Sequence, residues 1–267
     1  MFLNLPKSIT CAGFPIREYD EEMPPNITAE QILIRSGNIG SVRIAQRVEK
    51  LEKDRFKLFL EKIGVLSQID FDIEEIATQK EFPLGKCRLA TASFGHGVST
   101  TILQLAKGYS IIANGGFDVS PRLIKKKINQ SESRKRILKE GISKKVIPIL
   151  RKIVSTEEGT AKQANVKGYE VAGKTGTAQQ PIDGRYSNVK INTFASIFPS
   201  SKPKFVFIVM FDSPKTASNY VYEYRNKPGK TQTGTPYNTA GWTSVEVAGK
   251  IIEKIGPILA TKYMEIN

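Results

Sequence analysis

Apolar positions recur at helical spacing through the first half of the chain, then gather into strand-like runs before a last helical stripe. After the Pro24-Pro25 break, Thr28 is placed to cap a short helix running to Arg35. Val42, Ala45, Val48, Phe56, Phe59, Leu60 and Ile63 form a stripe that predicts one long helix from Ile39 to Ile63, stopped by Gly64. Leu103, Ala106 and Ile112 predict another from Thr100 to Ala113, ended by Gly115-Gly116, and Lys144 to Val154 predicts a weaker one interrupted at Pro148. The period then changes. TFASIF (193–198) and KFVFIVMF (204–211), joined by PSSKP, read as an antiparallel hairpin whose second strand is buried on both faces. YEVAGKTGTAQ upstream has strand-like spacing. Near the end, Thr243 to Glu246 fits a capping box and Trp242 with Val247 a hydrophobic staple. Val245, Ala248, Ile252 and Ile255 supply the stripe of a last helix before Gly256-Pro257. Helices first, then strands, then one helix: the expectation is α+β, helices packed on an antiparallel sheet, with residues 1–160 mainly helical and 161–267 carrying the strands and the final helix.

Composition narrows the classes. The 267 residues are 40% hydrophobic, ordinary for a globular chain, and hold neither an apolar run long enough to span a membrane nor a signal-peptide pattern. The formal charge of +14 favours anionic partners, but much of it is local. Lys125 to Lys145 holds nine Lys/Arg against two Glu with no aromatic interleaved, which reads as a solvated face and not as a nucleic-acid surface. Cys11 and Cys87 are too few for a zinc pattern and leave the redox compartment open. A single histidine, His96 in SFGHG, gives metal sites and Ser-His-Asp chemistry little support.

One stretch carries chemistry. GYEVAGKTGTAQQP (168–181) fits both the phosphate loop G-x-x-x-x-G-K-[ST] and the K-T-G element of serine acyl-transfer enzymes. A phosphate loop needs small residues that curl into a helix start, whereas Tyr169, Glu170, Val171 and Ala172 stand here and Pro181 follows soon after. An extended strand fits better. It puts the hydroxyls of Thr175 and Thr177 on one face about 7 Å apart, suited to a carboxylate. Gly176 between them clears space for a substrate backbone, and Lys174 adds a positive charge that alternation aims at the opposite face, so that it reaches the same site only from an edge strand.

Four blocks now resemble one family, the transpeptidase domain of class B penicillin-binding proteins, closest to the division-type peptidoglycan D,D-transpeptidases. They are ILIRSGNIGSVRIAQ (32–46), SFGHGVSTTILQLAKGYSIIANGG (93–116), AGKTGTAQ (172–179) and TAGWTSVEVAGKII (239–252), in the family's order. The resemblance implies a penicillin-binding, serine β-lactamase-like fold and acyl transfer, a serine attacking a D-Ala-D-Ala bond and an amine resolving the acyl-enzyme into a cross-link. It implies that Ser36 relays protons and Asn38 binds the substrate amide. Lys174 would orient Ser36 and attract the terminal carboxylate, Thr175 and Thr177 would bind that carboxylate, and the Thr177 N–H would form half of an oxyanion hole. The resemblance implies no cofactor or metal and needs no histidine, so His96 is read as a turn residue. The implied partners are stem peptides, β-lactams and, through a parent protein, division-complex membrane proteins on the periplasmic side of the bacterial inner membrane; nucleic acid is not among them.

The family's nucleophile lies in Ser-x-x-Lys at a helix start, roughly fifty residues before Ser-x-Asn, whereas 35 residues precede Ser36. The expectation is therefore the C-terminal part of one transpeptidase domain, inactive alone and poorly soluble through an unpaired sheet edge. Two Ser-x-x-Lys matches, Ser187 to Lys190 and Ser201 to Lys204, follow K-T-G and number about what chance supplies, so neither is taken as the nucleophile. The competing readings are a non-catalytic homologue used as a scaffold and, more remotely, a basic nucleic-acid binder.

Overall fold

The computed structural model describes residues 2–52, 54–73, 82, 87–124, 135–182, 185–225, 227–234 and 237–263. Residues 125–134, the first ten of the basic run singled out above, lie outside them. Contacts divide the chain into two compact units, Met1–Ile32 with Gly37–Val146 and Leu33–Ser36 with Ile147–Asn267.

The first unit opens with two small antiparallel sheets that the hydrophobic pattern does not announce. Strand β1 (Phe2–Asn4) pairs with β4 (Asn26–Thr28), Leu3 opposite Ile27. Between them β2 (Ile9–Cys11) and β3 (Phe14–Ile16) form a hairpin turned by Ala12 and Gly13, both at positive φ, the twist that tight hairpins favour. Helix α1 (Ala29–Arg35) follows, and the Thr28 hydroxyl accepts the Gln31 N–H while the Gln31 side chain accepts the Thr28 N–H. That reciprocal cap is the one expected at Thr28. Leu3, Leu5, Ile27, Ile32 and Ile39 close a core beneath these pieces.

The long helix expected over 39–63 is two, α2 (Asn38–Leu51) and α3 (Arg55–Lys62). Glu52 is extended and Asp54 left-handed, φ 59°, and the Glu49 carboxylate accepts the N–H groups of Asp54 and Phe56, so a side chain ends one helix and starts the next. The stripe misled because its second half is not core: α3 buries no residue, and Leu58 and Phe59 are exposed. Helices α4 (Arg88–Ser93) and α5 (Ile102–Ala113) complete the unit, α5 with a full capping box between Thr101 and Gln104. A disulfide joins Cys11 of β2 to Cys87 at the start of α4, Cα atoms 5.7 Å apart.

Helix α6 (Ile142–Ser155), whose residues from Ile147 onward belong to the second unit, continues through Pro148, where an interruption was expected. Proline forfeits one backbone bond there, but Ile147, Leu150, Ile153 and Val154 are buried and outweigh that local loss. The main sheet has three antiparallel strands in the order β5 (Ala172–Ile182), β6 (Arg185–Phe198), β7 (Phe205–Asp212). The hairpin between 193 and 211 is present, with Thr193 opposite Met210 and Phe198 opposite Phe205. Its buried member is β6, not β7. Phe194, Ala195, Ser196, Ile197 and Phe198 are buried because β6 is central, whereas Met210 on β7 is exposed.

A small sheet of β8 (Val221–Glu223) and β9 (Thr231–Thr233) precedes α7 (Ser244–Tyr263), which packs on β6 and β7 through Val245, Ala248 and Ile252. Helix α7 continues past Gly256-Pro257, where a stop was expected. The expected capping box does not close: the Thr243 hydroxyl donates to the Thr239 carbonyl and accepts from Asn192, while Glu246 accepts from Tyr220 and pairs with Lys250. Trp242 stacks edge-on against Tyr222 and Tyr224. Long-range partners outcompeted the local pairings. No helix of the described residues is long and apolar enough to cross a membrane.

Gly173 sets how closely β5 lies on β6. A Cβ there would stand 2.7 Å from the Ala195 carbonyl oxygen and from the Phe194 ring, whereas at Gly176 the nearest atom would be 3.9 Å away. Gly173→Ala is therefore expected to destabilise the chain by about 1–3 kcal/mol and Gly176→Ala by less than about 0.5, read from urea unfolding midpoints.

Candidate active site

The end of α1 shapes the first element of the site. Gly37 N–H donates to Ile32 O at 2.8 Å and Ser36 N–H to Leu33 O at 3.4 Å, the double closure of a helix C-terminus whose turning residue is left-handed. Glycine usually occupies that place; here Ser36 does, at φ 61°. A side chain in that conformation costs about 1–2 kcal/mol, and the two closing bonds hold it there with its hydroxyl presented.

Strand β5 brings the second element. Among the described residues β5 pairs with β6 alone, so it is an edge strand, the condition for Lys174 to reach its threonines' side. Residues 173–177 are extended and register with 192–196 of β6, not curled into a helix start, which removes the phosphate-loop geometry. Lys174 is half-buried, and its ammonium donates to Ser36 Oγ at 2.7 Å, Thr175 O at 3.0 Å and Thr175 Oγ1 at 3.4 Å. Desolvation draws its pKa down to about 8. An amine in that range, on a serine hydroxyl, can exchange a proton with it near neutral pH.

The threonines are held differently. Thr175 Oγ1 shares a hydrogen bond with Thr160 Oγ1 at 2.8 Å. Thr177 Oγ1 accepts the Ala240 N–H at 3.0 Å, which leaves its own proton to donate outward, and the residue is exposed. Gly176 between them is open. Ser36, Lys174, Thr175, Gly176 and Thr177 thus all belong to the second unit, with Lys174 in direct contact with Ser36 and with Thr175.

Asn38, two residues beyond Ser36, starts α2 in the first unit. Its amide nitrogen donates to Arg17 O at 2.9 Å, and Glu18 receives the N–H groups of Asn38 and Ile39 on its two carboxylate oxygens. A carboxylate at a helix N-terminus is favoured by the helix dipole. Glu18, Thr160 and the Ala240 amide were not read from the sequence, where they stand 20, 15 and 63 residues from the groups they hold and no spacing rule connects them. The set-aside Ser-x-x-Lys matches do not start helices: Ser187 and Lys190 lie on β6, and Ser201 to Lys204 form the turn into β7. His96 lies in the turn after α4 between two positive-φ glycines, its ring 5.2 Å from that of Phe94.

Residues 4–232 match the sequence profile of the penicillin binding protein transpeptidase domain. The chain belongs to this family. Penicillin-binding protein PbpB of Mycolicibacterium smegmatis is 30% identical over 259 residues, covering 90% of this chain and 39% of that protein. The probable peptidoglycan D,D-transpeptidase FtsI of Caulobacter vibrioides is 28% identical over 244 residues, 87% of this chain and 38% of that one. This transpeptidase-domain chain therefore spans under two fifths of the length of these curated relatives. In structure it is similar to the transpeptidase domain of Burkholderia pseudomallei penicillin-binding protein 3, with a TM-score of 0.74 at 22% identity over 97% of this chain and 72% of that chain, a likeness of fold. The α+β fold expected from the residues is the fold of this family.

The desolvated amine gives a test that needs no turnover. Unfolded, the Lys174 amine keeps its proton up to about pH 10.4; folded, it releases it at about 8. Between those values the unfolded state binds more protons, so the contribution of Lys174 to stability is lowest below pH 8 and rises towards pH 10. Wild type minus Lys174→Met should accordingly show a thermal-midpoint difference that shifts in favour of wild type from pH 7.5 to 10; a pH-independent difference contradicts the desolvated amine.

Proposed function

We propose that this chain supplies the Ser-x-Asn and Lys-Thr-Gly parts of a peptidoglycan D,D-transpeptidase site that cross-links D-Ala-D-Ala stem peptides in division-associated wall synthesis and is acylated by β-lactams. The observation carrying the proposal is the Lys174 to Ser36 hydrogen bond beside the open β5 edge. In this reading Ser36 and Lys174 pass a proton towards the leaving nitrogen, and Asn38 binds the stem-peptide amide. Thr175 and Thr177 hold the terminal carboxylate while the peptide lies over Gly176. The acyl-accepting serine comes from the family's Ser-x-x-Lys, in a segment other than the matches at Ser187 and Ser201, and residues 1–267 form the C-terminal part of that one domain. Placement on the periplasmic side of the inner membrane, beside division-complex membrane proteins, follows from the same reading. The Cys11–Cys87 disulfide suits that oxidising compartment.

A fluorescent penicillin tests this. The chain alone should not be labelled covalently, and the chain carrying a Ser-x-x-Lys segment of the family ahead of Met1 should be. Lys174→Ala in that longer protein should slow acylation by about 10²–10⁴-fold. Labelling that survives Lys174→Ala at full rate contradicts the assignment, and failure to label the longer protein favours the scaffold reading.

A further inference from the structure

A cavity of about 480 Å³ lies in the second unit between α7, the end of β7 and the approach to β8. Its walls are aromatic and aliphatic: Phe211, Tyr222 and Trp242 on one side, Val247 and Ile251 on the helix. They are fixed in place. Tyr222 is buried with its hydroxyl donating to the Trp242 carbonyl, and the two rings meet edge to face, centroids 5.1 Å apart.

Charge at the mouth is unbalanced. Glu246, the acidic residue of the lining, is taken up by Lys250 at 2.9 Å and by the Tyr220 hydroxyl at 2.6 Å. That neutralises one lysine and screens the one carboxylate that would repel an anion. Lys215, on the loop after β7, and Lys254, one turn along α7 from Lys250, also line the cavity, and both are exposed. An apolar, ring-walled volume of this size beside two exposed ammonium groups, which make no ion pair among the described residues, matches an amphiphile with a flat apolar body and a single anionic head.

We propose that this cavity is a binding site for a small aromatic carboxylate or sulfonate, its ring against Tyr222 and Trp242 and its anion between Lys215 and Lys254. None of the residues assigned above to acyl transfer lines it, so the proposal stands independently of the chemistry at Lys174.

Trp242 is the only tryptophan in the chain, which gives the cavity its own reporter. The probe is 8-anilino-1-naphthalenesulfonate titrated into the chain, followed by Trp242 quenching, with 1-naphthoate and the uncharged 1-naphthalenemethanol as competitors. One saturable site is expected, displaced by naphthoate at concentrations well below those needed of the alcohol. Lys215→Gln/Lys254→Gln, with an unchanged circular-dichroism melting curve, should weaken probe binding by about five- to tenfold, the scale of two partly exposed ion pairs. Val247→Phe, which fills the cavity, should abolish it. Unsaturable quenching, equal competition by acid and alcohol, or unchanged affinity in the double variant each overturns the proposal. The acid-versus-alcohol comparison requires no variant to fold.

Discussion

The hydrogen bond between Lys174 and Ser36 spans 138 residues of sequence and sets the demands on everything around it. It requires an ammonium partly stripped of water, since a fully hydrated lysine would not settle on one hydroxyl. It requires Ser36 to stand in a backbone conformation that L-residues avoid, and it requires β5 to lie so close on β6 that position 173 cannot carry a side chain. Each demand costs free energy locally. Burial elsewhere offsets it: Phe194, Ile197 and Phe198 on the central strand, and Val245, Ala248 and Ile252 on the helix covering the sheet.

Desolvation and hydrogen bonding act on Lys174 in opposite senses. Three acceptors favour the ammonium, while loss of water favours the free amine, and desolvation dominates, leaving the group near 8 instead of above 10. Both protonation states are then accessible close to neutrality, which a proton relay needs and a merely structural ion pair does not. The threonines show a similar division of labour. Thr177 has its oxygen occupied by a backbone amide and its proton free, while Thr175 is tied to Thr160.

The elements legible in the sequence are those whose cause is local. The Thr28 cap, the α5 capping box and the extended course of the Lys174 strand follow from residue types within a few positions of one another, and all were readable. The misreadings share the opposite cause. A stripe through Phe59 and Leu60 looked like core, but α3 buries none of its residues among the described ones. Pro148 and Gly256-Pro257 looked like stops, yet burial along α6 and α7 outweighs the one bond each proline forfeits. Thr243 and Glu246 stand at capping-box spacing, but Asn192, Tyr220 and Lys250, distant in sequence, claim their polar atoms first. The three small sheets rest on runs of three residues, too short to show a period.

By itself the sequence determined the residue types and their order: Ser36 and Asn38 at a helix junction, then Lys174, Thr175 and Thr177 alternating along a strand with glycine between the hydroxyls. Tertiary structure decided how those groups are held. It gave Ser36 its left-handed backbone, took water from Lys174, turned the Thr177 proton outward through Ala240, joined Cys11 to Cys87 and placed Glu18 beneath the first turn of α2. The physical reason is range. Periodicity and capping report forces acting over a few residues, whereas desolvation, strand register and hydrogen-bond competition are fixed only when distant segments are packed together.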